Sequence, residues 1–327
     1  MSGPADAIPA PRLRARRPPL RLVAIAAALV WLGAGLAGGW LYAHRYYVYR
    51  GFPPPVTPAG VSAGYAQRFW FYSRALAHRE SVLVYLPPGY RQAAAAGRRF
   101  PALYILHGHP GRAVDILEAG AAGTDLDTLV ARHRVRPMLL VLPEITSGPA
   151  HGDTEWANTP AGRYDSVVAN VVHAVDSRYA TLAQRRDRVL AGLSEGAYAA
   201  VNVGLHQLPL FGGIQSWSGY FVQDPLGVFA GASPGLLAAN SPLDYVPRMR
   251  AEIARLGLHA YLYEGRNELH RDSHLRQFTA ELRAAGAHAR WARFPGGHDW
   301  ALWRRRLPRM LELANGWFRA PAPRRSG

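Results

Sequence analysis

A chain of 327 residues with 49% hydrophobic content can bury one large α/β core plus an appendage, or two smaller domains. The absence of cysteine excludes disulfides, thiolate catalysis and cysteine-ligated zinc or iron–sulfur centres, and leaves the redox compartment open. The formal charge is +16 and there is no lysine; this reads either as arginine-biased composition with basic termini or as attraction to anionic lipid, and no stretch interleaves arginines with aromatics as a nucleic-acid groove would.

Residues 1–21 hold Arg12, Arg14, Arg16, Arg17 and Arg21 among prolines, the composition of a solvated basic arm. Residues 22–43 carry no charge. At about 1.5 Å per residue that run spans roughly 33 Å, enough to cross a bilayer's hydrocarbon core. Trp40, Tyr42, Tyr46 and Tyr47 suit an aromatic belt at its far end, and the arginines before it place the N-terminus in the cytoplasm. A cleaved signal peptide would have a shorter apolar region and an A-x-A site; a core helix would have a polar face. The expectation is an uncleaved, single-pass anchor with the rest of the chain on the extracytoplasmic side. Residues 44–66, with Pro53, Pro54, Pro55 and Pro58, form a partly stiff linker. A folded domain is expected over 67–318, and a basic tail over 319–327.

Inside that domain, strand-like and helix-like segments alternate. Strands are expected at 68–73, 82–86, 102–106, 138–142, 189–191, 213–217, 260–263 and 289–294. Helices are expected at 113–132 (with Gly120 and Gly123 against the pattern), 164–179, 197–206, 246–256, 273–285 and 300–317. The first two strands read as an antiparallel pair. The remaining alternation implies a mostly parallel sheet flanked by helices. Residues 218–258 are largely irregular.

One turn organises the rest. Gly192-Leu193-Ser194-Glu195-Gly196 fits G-x-S-x-G between a buried strand and a small-residue helix. That pattern holds a serine hydroxyl on a strained bend at a helix N-terminus, where developing negative charge is stabilised. Ser194 is the candidate nucleophile and needs a base. In folds with this turn the chain order is serine, acid, histidine, the last two on loops after late strands. Of thirteen histidines, His298 in Pro295-Gly296-Gly297-His298 follows the last strand and is the candidate base. The acid should follow the strand at 260–263. Glu268 has the reach, with Asp272 and Glu264 as alternatives; Asp299 suits a helix cap. An oxyanion hole needs two backbone N–H groups. Glu195 supplies one, and His109 in the loop His107-Gly108-His109-Pro110-Gly111 supplies the other. His107 and His109 also have the look of a metal pair, but further ligands are missing just downstream; no metal and no cofactor are expected. Asp153, Glu155 and Trp156, in the loop after the strand at 138–142, are candidates for binding the polar part of a substrate or an acceptor.

With these residues in place, the chain from about Arg68 to Trp317 resembles the esterase family of α/β-hydrolases, which holds S-formylglutathione hydrolases, feruloyl esterases, enterochelin esterases and mycolyltransferases. The blocks VLVYLPPGY (82–90), LYILHGHPG (103–111), VDSRY (175–179), AGLSEG (191–196), SWSGYF (216–221) and PGGHDWALW (295–303) carry the likeness in order. The resemblance implies an α/β-hydrolase fold, Ser194 as nucleophile, His298 as base, Glu268 as acid where members often have Asp, and the amides of His109 and Glu195 as oxyanion donors. Glu195 stands where members often have Met or Gln, and whether it adds negative charge is left open. The implied activity is hydrolysis of a carboxylic ester through an acyl-enzyme. Acyl transfer to a sugar or lipid acceptor is the alternative within the class, with envelope lipid or glycolipid as the partner. A non-catalytic binding module on the same fold is the alternative outside it.

Overall fold

The computed structural model describes residues 19–49, 51–148, 153–268 and 274–318. The basic arm to residue 18, His151, Gly152, Asp272 and the tail 319–327 lie outside them. The chain divides into a unit that ends at Tyr47 and one that begins at Val48.

The first unit holds all but the last two residues of α1, Leu20–Tyr49, a helix longer than the 22–43 run expected. Its segment Leu20–Ala43 is long and apolar enough to cross a membrane and has no buried residue. Leu29, Val30, Trp31 and Leu36 are all exposed, so apolar side chains point outward on more than one face of the helix.

The second unit opens with β1 (Tyr65–Ser73) and β2 (His78–Leu86), then α2 (Tyr90–Ala95), β3 (Ala102–Leu106), α3 (Ala113–Glu118), α4 (Ala122–Ala131) and β4 (Leu139–Glu144). A small hairpin of β5 (Asn158–Thr159) and β6 (Gly162–Arg163) precedes α5 (Ser166–Arg178), β7 (Arg188–Leu193), α6 (Glu195–His206) and β8 (Gly213–Trp217). The chain continues through α7 (Pro234–Ala239), α8 (Pro242–Tyr245), α9 (Arg250–Leu256), β9 (His259–Gly265), α10 (Leu275–Ala284), β10 (His288–Phe294) and α11 (Trp300–Trp317).

Eight strands form one sheet in the order β1-β2-β4-β3-β7-β8-β9-β10. β1 and β2, and β2 and β4, pair antiparallel; every later neighbour is parallel. This is the α/β-hydrolase architecture. Alternate residues of each strand feed opposite faces. Ala102, Tyr104 and Leu106 of β3 join Val168, Val171 and Val203 in one core layer. Leu103 and Ile105 join Leu126, Met310 and Leu311 in the other.

The helix expected over 113–132 is two helices. The first ends at its C-cap Ala119, and Ala121, left-handed at φ 60°, is the N-cap of the second. The helix expected over 246–256 begins as a 3₁₀ turn, Val246–Met249, before α9. Within 218–258, α7 and α8 both start with proline directly after a serine, where a missing N–H costs nothing.

Candidate active site

β7 is buried along its whole length and delivers Ser194 directly to the first turn of α6. Ser194 has φ 57° and ψ −122°, a conformation a side-chain-bearing residue holds only when its surroundings impose it. Its N–H donates to Trp217 O at 3.0 Å. A Cβ at Gly196 would run into the Leu106 and His107 carbonyls, so only glycine lets α6 start this close to β3. Gly108 packs on Ser194 itself: a Cβ there would stand 2.8 Å from Ser194 Cβ.

Two loops bring the partners in. Arg266 N–H donates to Phe294 O at 2.8 Å and Asn267 N–H to Gly296 O at 3.0 Å, which ties the loop after β9 to the loop after β10. His298 Nε2 then lies 2.7 Å from Ser194 Oγ. Its Nδ1 lies 3.1 Å from Glu268 Oε2. The other carboxylate oxygen accepts from Gly265 N–H and from the Ser218 hydroxyl, both at 2.5 Å. Burial alone would raise the Glu268 pKa, but hydrogen bonds from His298, Ser218 and Gly265 outweigh it and hold the carboxyl below its usual range. Glu268 is therefore ionised at neutral pH. The His298 ring rests edge-on against Trp303, centroids 5.1 Å apart.

Of the alternative acids, Glu264 is an ion-pair partner of Arg293 on the neighbouring strand, and Asp272 lies outside the described residues. Asp299 caps α11, its Oδ1 accepting from Leu302 N–H at 2.9 Å.

Glu195 is the first residue of α6, where backbone N–H groups have no acceptor within the helix. His109 is exposed, one residue beyond Gly108. The Glu195 side chain is buried. Its Oε1 accepts from Thr154 N–H at 3.3 Å. Burial first, then the neighbouring carboxyls of Glu155 and Asp153, push its pKa well up. Burial and these carboxyls thus bias the Glu195 side chain toward its uncharged form beside Ser194. Burial also pushes Glu155 up to about 7, partly opposed by its hydrogen bond from the Tyr220 hydroxyl. Tyr220 in turn stacks on Tyr198 of α6 with centroids 5.1 Å apart. Trp156 is 1% exposed and packs edge-on against His107 at 5.1 Å; it belongs to the core next to the site. Asp153 is partly buried in the same loop.

The Esterase family model ("Putative esterase") matches residues 73–314. The chain belongs to the Esterase family. This esterase-family chain is 24% identical over 256 residues to the endo-1,4-beta-xylanase/feruloyl esterase of Xylanibacter ruminicola, a match that covers 77% of it but 31% of that relative; it spans about a third of the relative's length. Among solved structures, a ferulic acid esterase superposes with a TM-score of 0.68 at 22% identity, over 79% of this chain and 100% of that one. The S-formylglutathione hydrolase of Staphylococcus aureus gives 0.61 at 16% identity, over 77% and 99%. These structures share the fold.

Sequence reasoning missed two residues of this esterase-family site. Ser218 donates to Glu268 and accepts from Trp303 Nε1–H at 3.0 Å. The blocks SWSGYF and DWALW contain both residues, but nothing local to either block says that they meet, 85 residues apart.

Proposed function

We propose that this chain is a serine esterase that cleaves carboxylic esters through an acyl-enzyme. The observation that carries the reading is the continuous contact from Ser194 Oγ to His298 Nε2 at 2.7 Å and from His298 Nδ1 to Glu268 at 3.1 Å. A serine hydroxyl is a weak nucleophile until a base within hydrogen-bond reach takes its proton. In this reading His298 accepts the Ser194 proton as Oγ attacks the ester carbonyl. The Glu268 carboxylate holds the ring in the Nδ1–H tautomer and stabilises the imidazolium without taking the proton. The tetrahedral oxyanion is met by the backbone N–H groups of Glu195 and His109. His298 then hands its proton to the leaving alcohol. Water repeats the sequence on the acyl-enzyme and frees the acid.

The names of the relatives make hydroxycinnamoyl esters the first substrates to try. The helix Leu20–Tyr49 supports a single-pass anchor, and the arginines before it support a hydrolase domain on the extracytoplasmic side. Turnover of p-nitrophenyl acetate and methyl ferulate by membranes carrying the full chain tests the proposal. Wild type is expected to hydrolyse at least one, and Ser194→Ala neither. Equal turnover by the variant would refute it.

A further inference from the structure

The parallel strands have two ends. Ser194, Glu268 and His298 follow the C-terminal ends of β7, β9 and β10. At the opposite edge, where β8, β9 and β10 begin, lies a cavity of about 350 Å³, a size that accommodates a small organic molecule. At about 3.3 Å per residue, the length of β7 alone sets it roughly 20 Å from the nucleophile.

Its lining combines flat rings with positive charge. His288 lies offset-stacked on His259, centroids 5.3 Å apart, and His259 on Trp317, 5.6 Å apart and 13° from parallel. Arg185 stands in the wall. Its guanidinium donates to Leu208 O at 2.6 Å, Leu256 O at 3.1 Å and Gly257 O at 2.5 Å. Among the described residues no carboxylate pairs with it, and burial depresses its pKa. Arg185 is half-buried, and its hydrogen bonds go to carbonyls rather than to a carboxylate, so the guanidinium charge stays available to an anion at the cavity. Arg186 adds a half-exposed guanidinium, 3.7 Å from Asp187. No aspartate or glutamate side chain lines the cavity among the described residues.

We infer that this cavity binds a small anion that carries a flat ring, an aromatic carboxylate, with its ring along the His288–His259–Trp317 row and its charge toward Arg185 and Arg186. A bare inorganic anion fits less well. Arg185 has already given three N–H groups to carbonyls, and the row of rings offers a bare anion no complement.

Calorimetric titration of the full Ser194→Ala chain in detergent with 2-naphthoate tests the site while the nucleophile is absent. Binding at one site is expected, weakened about tenfold by His288→Ala and by Arg186→Gln as a charge-assisted or stacking contact is lost. In the wild-type background both substitutions are expected to leave ester turnover unchanged. 2-Naphthamide, which keeps the ring without the charge, and inorganic phosphate are both expected to bind at least about tenfold more weakly. No binding, equal affinity for the amide or for phosphate, or affinity unchanged by both substitutions would overturn the inference.

Discussion

Ser218 and Glu268 share a hydrogen bond of 2.5 Å, and the serine is itself held by the Trp303 indole at 3.0 Å. The pair joins the turn after β8 to the loop after β9. Ser218 has a positive φ of 64°, and its N–H donates to Tyr263 O at 2.7 Å. That backbone conformation aims the hydroxyl at the carboxylate.

Ser218→Ala removes one of three donors to Glu268. A hydrogen bond to a charged group contributes about 1.5–3 kcal/mol, so kcat should fall about tenfold or more with KM little changed, as for loss of an orienting contact. The folded Glu268 pKa is depressed. Its stabilising contribution is therefore full above the ordinary carboxylate range and is lost as pH falls through the folded pKa. The melting-temperature gap between wild type and Ser218→Ala should be present at pH 7 and close at the acid end. A gap that does not depend on pH would contradict this.

Gly108→Ala places a Cβ 2.8 Å from Ser194 Cβ and 2.9 Å from Leu193 O. Both obstacles belong to the backbone or its first side-chain atom, so the nucleophile must shift. A displacement of about 1 Å can cost about a hundredfold in rate. Steady-state assays should show kcat reduced by at least about tenfold, while circular dichroism still reports a folded domain. Full activity would mean that the contact is slack.

Glu155 behaves oppositely to Glu268. Burial pushes its pKa up to about 7, with Asp153 and Asp224 adding to the rise and the Tyr220 and Gln223 hydrogen bonds opposing it. Between the ordinary carboxylate range and that value the unfolded chain gives up a proton that the folded chain keeps. Stability should therefore decline as pH rises through this window and level off above it. Glu155→Gln keeps an acceptor for Tyr220 and removes the titration. The variant should show a flatter melting profile from pH 5 to pH 8 (roughly the span of the shift) and gain relative to wild type at the upper end. A profile that keeps the wild-type slope would contradict this.

Much of the site is legible in the sequence because its determinants are local. The glycines around Ser194 and the apolar strand before it specify the turn within a few residues. His298 and Glu268 can be reached by counting strands, since each follows a strand of recognisable pattern. What depends on distant contacts is not legible. Trp156 reads as a candidate substrate contact until the loop folds its indole, buried, against His107. The upward pKa shift of Glu195 follows from burial and from carboxyls some forty residues earlier. Gly120 signals the break between α3 and α4 in the sequence, but the left-handed Ala121 that starts α4 is a conformation alanine does not favour. Ser218 lies in an irregular stretch whose only visible signal is its neighbours.

The central claim is that Ser194 is a nucleophile activated by His298. Labelling the full chain with a fluorophosphonate and mapping the adduct by peptide mass spectrometry tests it most directly. The account predicts a single adduct on Ser194, with a labelling rate that collapses in His298→Ala. An adduct on another residue, or labelling of His298→Ala at the wild-type rate, would contradict it.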